Sequence, residues 1–517
     1  MKIVASITRI LLAGACTTAA LASYSAPTAA QDNPAARAAR EWRQAREQPL
    51  VAEYLEFLSI PNVSRDKVNV RRNAEHLLKM MEKRGLKPRL LEVPGVSPAV
   101  YGEILVPGAR RTYVFYAHYD GQPATQKDWA TAPFEPVLRS ARLDRGGQVV
   151  PLPAPGQRIN PEWRIYARSA ADDKSQIFAM LAALDALNAA GMKPRANLKF
   201  FFEGEEEIES EHLDKILAAN KDLLKADLWI ICDGTEHPSG QQTVTFGARG
   251  IQKLEITVYG ALRDLHSGHY GNWAPNPAMM LAQLLASMKD ADGRVLVESF
   301  YDGVLPLGEL EKKAIADAPN SDASLMREFG LARVDGSGRR LAEMINLPSL
   351  NIRGMASGQT GSQAVNAIPS TATAAIDLRL VRGVTKEGQV ARVIAHIRKQ
   401  GYHVVDADPD EKTRLAHPRI AKVAVEAGGY NAVRAQMDLP AAQKLVAAAR
   451  SVRSPVVLQP TSGGSVPLDM IIDILGTNTV QVAIANYDNN QHGANENLRM
   501  QNLWNGIELQ AALLTMD

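Results

Sequence analysis

Hydrophobic and polar positions along this chain follow two rhythms. The first is a short apolar run that stops at a chemically active residue. TYVFYA predicts a strand over 112–117 delivering His118, NLKFFF a strand running into the glutamates of "EGEEEIES", and ADLWII a strand ending before Asp233. The second is helical: Ile177, Phe178, Leu181, Leu184 and Leu187 recur at 3.6-residue spacing after "ADDKS", and Gly191 and Pro194 stop the helix. Strands alternating with helices in this way predict an α/β fold, a mostly parallel sheet flanked by helices. Ahead of it, 31–60 reads as a polar helical lead-in, and the Pro- and Gly-bearing stretch 138–163 as a surface excursion.

The texture changes after "FGARGIQKLEITVYG". Strand, helix, long polar loop, strand ("TATAAIDLRLVRG"), helix ("GQVARVIAHIRKQG") and strand ("YHVVDAD") predict a smaller α+β domain inserted into the first. The expected division is 31–249 and 410–517 for the main domain and 250–409 for the insertion. From "AAQKLVAAARSV" onward the α/β texture returns and ends in a long helix.

Composition changes this picture little. The 517 residues suit two or three domains, and 46% hydrophobic with 22% charged residues is a globular balance. A net charge of +2, with no basic stripe and no Gly-rich phosphate loop, gives no electrostatic case for nucleic acid. The first 30 residues read as a signal peptide. Lys2 and Arg9 are their only charges, Ile10 to Ala22 is apolar and too short for a comfortable span, and small residues precede a cut near Ala30. The expectation is a secreted, periplasmic protein. Lipid attachment at Cys16 is the weaker alternative, because Ala13 stands three residues before it. No later apolar run reaches 18 residues, so no membrane span is expected, and Cys232 is left without a disulfide partner.

His118, Glu205–Glu207 and Asp233 each follow a strand, and Asp172 and Asp173 precede a helix. Singly these have plainer readings: a solvated helix start, a cap, a turn. Jointly they fall on one rim, because ligands of an open α/β sheet gather beyond the carboxyl ends of its strands. Carboxylates so close repel unless a cation neutralises them. Histidine with Asp and Glu suits Zn²⁺ or a similar ion, and the surplus of carboxylates suggests two.

The motifs "YAHYDGQP", "RSAADDKS", "EGEEEIES", "WIICDG", "DLHSGHYG", "DLRLVRG", "SGGSVP" and "HGANEN", in this order, resemble the zinc peptidases that include carnosinase, glutamate-releasing carboxypeptidases and aminoacylases. The match spans about residues 50–510, with carnosinase-type dipeptidases nearest in pattern. The resemblance implies two divalent ions per subunit, zinc or else Mn²⁺ or Co²⁺. His118 and Asp233 would hold one, Glu207 and His492 the other, and Asp172 both. Asp120 would orient His118, Glu206 would be the general base, and the Asp172–Asp173 peptide would be cis. His266 would stabilise the oxyanion in a neighbouring subunit's site, and Arg379 would hold the substrate carboxylate. Asn366, Gly464 and Ser465 are further substrate-binding candidates, and Glu205 is read as surface or as a residue behind the ligands. The insertion would be a ferredoxin-like lid and dimerisation domain of a homodimer.

The expected function is therefore a dinuclear zinc exopeptidase acting on dipeptides or short peptides. The alternatives are an amidohydrolase of N-acyl amino acids on the same fold, or a metal-binding protein without catalysis. The chain departs from the family at Ser169, Ser175 and Glu209, where glycine is common, and at Ser462, where carnosinase-type members often carry an acidic residue.

Overall fold

The computed structural model describes residues 33–517. The expected signal peptide and Cys16 lie outside the described residues. The centre is an eight-stranded sheet in the order 89–91, 99–104, 197–203, 112–118, 228–231, 479–482, 243–245, 457–459. Its middle is parallel: Thr112–His118 pairs in parallel with both Asn197–Glu203 and Leu228–Ile231, and Thr479–Val482 with Leu228–Ile231. The pairings of 89–91 with 99–104, of 99–104 with 197–203, and of 479–482 with 243–245 are antiparallel.

Side chains of a strand alternate between faces, so both faces of a covered sheet must be apolar. Tyr113, Phe115 and Ala117 join Phe200, Phe202 and Ile230 in one core, against the helices Lys174–Ala189 and Met500–Leu514. Val114 and Tyr116 turn the other way, to join Phe201, Trp229 and Ile231 in a second core. Helices Leu213–Ala219 and Leu468–Leu475 cover that face. Each buried aromatic contributes about 1.5–3 kcal/mol of transfer free energy. That burial fixes where the strands end, and therefore where the rim residues stand.

A second layer is a five-stranded sheet in the order 349–356, 371–380, 250–259, 420–425, 403–405, backed on one face by the helices Pro277–Met288 and Lys386–Lys399. The boundary expected at 409 falls inside this layer. Ile420–Val425 pairs antiparallel with residues 254–259, so the strand after the "YHVVDAD" segment still belongs to the smaller sheet. The stretch read as a surface excursion carries short strands instead. Residues 137–139, 149–150, 164–166 and 497–499 form a four-stranded sheet, which brings the "HGANEN" loop beside Arg168.

Candidate metal centre and active site

Three adjacent strands deliver the first residues. His118 closes Thr112–His118, Asp233 follows Leu228–Ile231, and Glu203 closes its strand just before the tight turn Glu206–Ile208. Asp172 and Asp173 stand where the buried helix Lys174–Ala189 begins, and the peptide bond between them is cis. The "HGANEN" loop supplies His492.

Two groups of ligand atoms result, each within 4.8 Å: His118, Asp172 and Asp233, and Asp172, Glu207 and His492. Asp172 belongs to both. Its Oδ1 lies 3.0 Å from His118 Nε2 and its Oδ2 3.2 Å from His492 Nε2, which in turn lies 3.3 Å from Glu207 Oε2. Glu206 Oε2 is 3.8 Å from His118 Nε2.

A ring of polar contacts fixes these groups. Asp120, fully buried, places Oδ1 3.4 Å from His118 Nδ1 and accepts the Glu206 and Glu207 N–H groups at 3.2 and 3.1 Å. One carboxylate thus holds the imidazole and the glutamate turn together. Gln122 Nε2 donates to Glu207 Oε2 at 2.8 Å, and Gln491 Nε2 to Asp172 Oδ2 at 3.1 Å. Glu496 accepts the N–H groups of Ser169, Ala171 and Asp172 at 2.8–2.9 Å and pairs with buried Arg168 at 2.8 Å. Sequence reasoning left Glu496 unassigned, although it lies inside a quoted motif. Its signal is a lone acidic residue four positions after His492. Glu205 corrects the surface reading: it is 2% exposed, accepts the Ser97 N–H at 2.8 Å and lies 2.8 Å from His212 Nδ1. It braces the turn from behind.

The electrostatics are those of negative charge in need of a cation. Burial first, then the charges of Asp233, Glu207 and Asp172, push the Glu206 carboxyl well above its usual range. Burial and Asp172 do the same to Glu207, and raise Asp233 to about 6. Burial would raise Asp172 too, but hydrogen bonds from His118 and His492 outweigh it and hold this carboxyl low. Burial would lower His118, yet Asp120 and Asp172 raise it well above the ordinary histidine value. A divalent ion at each group of three would relieve the repulsion, and the donor set of one histidine with carboxylates fits such ions.

A cleft of about 460 Å³ opens between these residues and the second layer. Asp172, Glu206, Glu207, Asp233 and His492 line one side of it. Arg379, Gly464 and Ser465 line the other, with Arg379 Nη1 donating to Ser465 Oγ at 2.7 Å. Lys253 and Tyr430, not foreseen, also face it. His266 and Asn366 do not. Both are exposed on the second layer, where the Asn366 carbonyl accepts the Ser267 N–H and His266 Nδ1 accepts the Gly268 N–H.

Carboxylates forced together under low exposure, beside an open cleft, define a class: a metal-dependent hydrolase. The family follows from the whole chain. It belongs to peptidase family M20/M25/M40, whose model matches residues 114–516. It is 26% identical over 450 residues to the Cys-Gly metallodipeptidase of Saccharomyces cerevisiae, covering 85% of this chain and 86% of the yeast protein. It is 25% identical over 429 residues to the human Beta-Ala-His dipeptidase, covering 81% and 77%. Among solved structures, an M20 metallo-carboxypeptidase from Sulfolobus solfataricus aligns with TM-score 0.73 and 27% identity, over 90% of this chain and 98% of its own. Human carnosine dipeptidase 1 shares the fold with TM-score 0.74 and 21% identity, over 95% and 99%.

These relatives correct the expected location. The yeast dipeptidases among them are cytosolic, and secretion to a periplasm is withdrawn. Among the described residues no helix is long and apolar enough to cross a membrane.

Glu203, behind His118, provides a pH test. Burial, opposed only in part by its hydrogen bond from the Tyr116 hydroxyl, pushes its carboxyl from 4.5 up to about 7. The folded state therefore keeps this proton longer than the unfolded chain. The contribution is whole below about 4.5 and is lost as pH rises through about 7. Urea melts of metal-free Glu203→Gln and wild type should show the variant gaining on wild type across that window, by up to about 3 kcal/mol. A constant gap contradicts the assignment.

Proposed function

We propose that this chain is a dinuclear exopeptidase that cleaves dipeptides or short peptides, with zinc as the native metal. The observation that carries the reading is the sharing of Asp172 between two groups of three ligands. Two divalent ions there would polarise the scissile carbonyl, offset the charge that develops on its oxygen, and make bound water acidic near neutral pH. The residues of the chain do the rest. His118, Asp172 and Asp233 would hold one ion, and Asp172, Glu207 and His492 the other. Glu206 takes the proton of the attacking water at its carboxylate and returns it to the leaving amine. Asp120 keeps the His118 ring and the Glu206–Glu207 backbone in register, the usual service of a carboxylate beside a ligating imidazole.

Arg379, steadied by Ser465, holds the substrate carboxylate as a guanidinium fork. Gly464 and Ser465 shape that wall. The names of the relatives, a Cys-Gly metallodipeptidase and a Beta-Ala-His dipeptidase, support a dipeptide substrate. His266, with Asn366 beside it, serves the cleft of a second copy in a homodimer joined through the second layer. Its exposure away from its own cleft supports that role.

Two experiments test this. Glu206→Ala should lose dipeptide hydrolysis by about 100-fold or more while its metal content stays that of wild type. Retained activity removes Glu206 from the role of base. The second uses mixing. Glu206→Ala and His266→Ala are each expected to be inactive alone. Co-expressed, they should regain activity, because the His266→Ala chain keeps its own Glu206 and receives His266 from its neighbour. No recovery in a proven mixed dimer contradicts a role across subunits. Running a free-amine dipeptide against its N-acetylated form separates this reading from an N-acyl amidohydrolase.

A further inference from the structure

The cleft does not end at the ligands. Across a wall formed by Asp233, Gly234, Ser462 and Gly464 lies a second chamber of about 300 Å³. These residues line both spaces, whereas Arg379 and Ser465 line only the first. The far side of the chamber comes from residues 319–345, between the strands Gly250–Tyr259 and Ser349–Ala356 of the second layer. This segment presents Arg340.

Arg340 is held but not neutralised. Its Nη1 and Nη2 donate to the carbonyls of Ile315 and Ala318 at 3.1 and 2.7 Å, and its buried Nε has no partner. Among the described residues no carboxylate forms an ion pair with it. His237 lines the same chamber and is 8% exposed. Its Nδ1 accepts the Ser239 N–H at 3.1 Å, so the ring hydrogen belongs on Nε2, a donor. Burial, and then the Arg340 charge, hold this ring below its ordinary value, so it stays neutral. Of the carboxylates on the wall, Asp233 is a metal ligand in our reading, Glu236 is paired with Arg453, and Asp322 accepts the Leu341 N–H at 3.3 Å. The chamber thus offers hydrogen-bond donors and a cation without a carboxylate partner.

We infer that this chamber receives the side chain of the substrate's N-terminal residue, and that Arg340, with His237, selects an acidic one. The inference rests on the proposed peptidase reading. If Arg379 holds the C-terminal carboxylate in the first space, the residue on the other side of the scissile bond extends past Asp233 into the second. A carboxylate there matches a guanidinium fork, and an amide of the same shape does not.

The test compares the isosteric dipeptides Glu-Ala and Gln-Ala, with Lys-Ala as a third substrate, on metal-loaded protein. Wild type should cleave Glu-Ala with a kcat/KM about 10- to 100-fold above Gln-Ala, the range of one charge-assisted hydrogen bond. Arg340→Gln should bring the ratio near unity, and Arg340→Lys should keep part of it. A loss of packing around 315–318 would slow both substrates alike and leave the ratio unmoved. A flat ratio in wild type, an unchanged ratio in Arg340→Gln, or a preference for Lys-Ala, as Asp322 would give, overturns the inference while the peptidase reading stands. Cleavage of none of these dipeptides by wild type overturns both.

Discussion

The arrangement depends on a cluster of carboxylates that cannot stay together by themselves. Asp172, Glu206, Glu207 and Asp233 stand within reach of one another on the rim of a sheet whose two faces are closed by aromatic and aliphatic side chains. All four are largely shielded from water, so their mutual repulsion is poorly screened. Positive charge has to come from histidine or from metal. The chain supplies two histidines, each against one oxygen of Asp172. That leaves more negative than positive charge, which is the condition a pair of divalent ions meets.

The supports follow from the same need. A carboxylate that must hold a fixed position against like charge needs hydrogen bonds from the backbone, and the chain provides them from behind. Asp120 fixes the turn bearing Glu206 and Glu207, and Glu205 fixes the same turn from the opposite side. Glu496 ties down the segment from Ser169 to Asp172 through three backbone N–H groups, with Arg168 balancing its charge. Glu209, at φ 65°, bonds Lys253 and the Gly429 N–H, linking the glutamate turn to the second layer. Glu209 thus places an ion pair between the layers.

Sequence legibility tracked locality. His118 and Asp233 could be read because an apolar run that ends in a polar residue marks a strand end, and in a parallel sheet all such ends face one way. Glu207 was legible only as one of three glutamates after a strand and Asp172 only as one of two aspartates before a helix, so singling them out needed the family resemblance, and no strand or helix pattern pointed to His492. Glu496, Gln122 and Gln491 stayed hidden, because their roles are hydrogen bonds between segments far apart in the chain. The boundary at 409 missed for a related reason. Ile420–Val425 looks like any strand, and only its pairing with Gly250–Tyr259 assigns it to the smaller sheet. The second chamber has no sequence signature at all. It is bounded by the turn after Asp233, the Ser462 loop and a polar segment that reads as a loop.

The central claim is that one aspartate serves two ions, and counting metal tests it most directly. Elemental analysis of dialysed, zinc-loaded protein should give two ions per chain for wild type and about one for Glu207→Gln. For Asp172→Asn, far-UV circular dichroism unchanged, it should give fewer than one. One ion in wild type, or two retained by Asp172→Asn, would contradict the account.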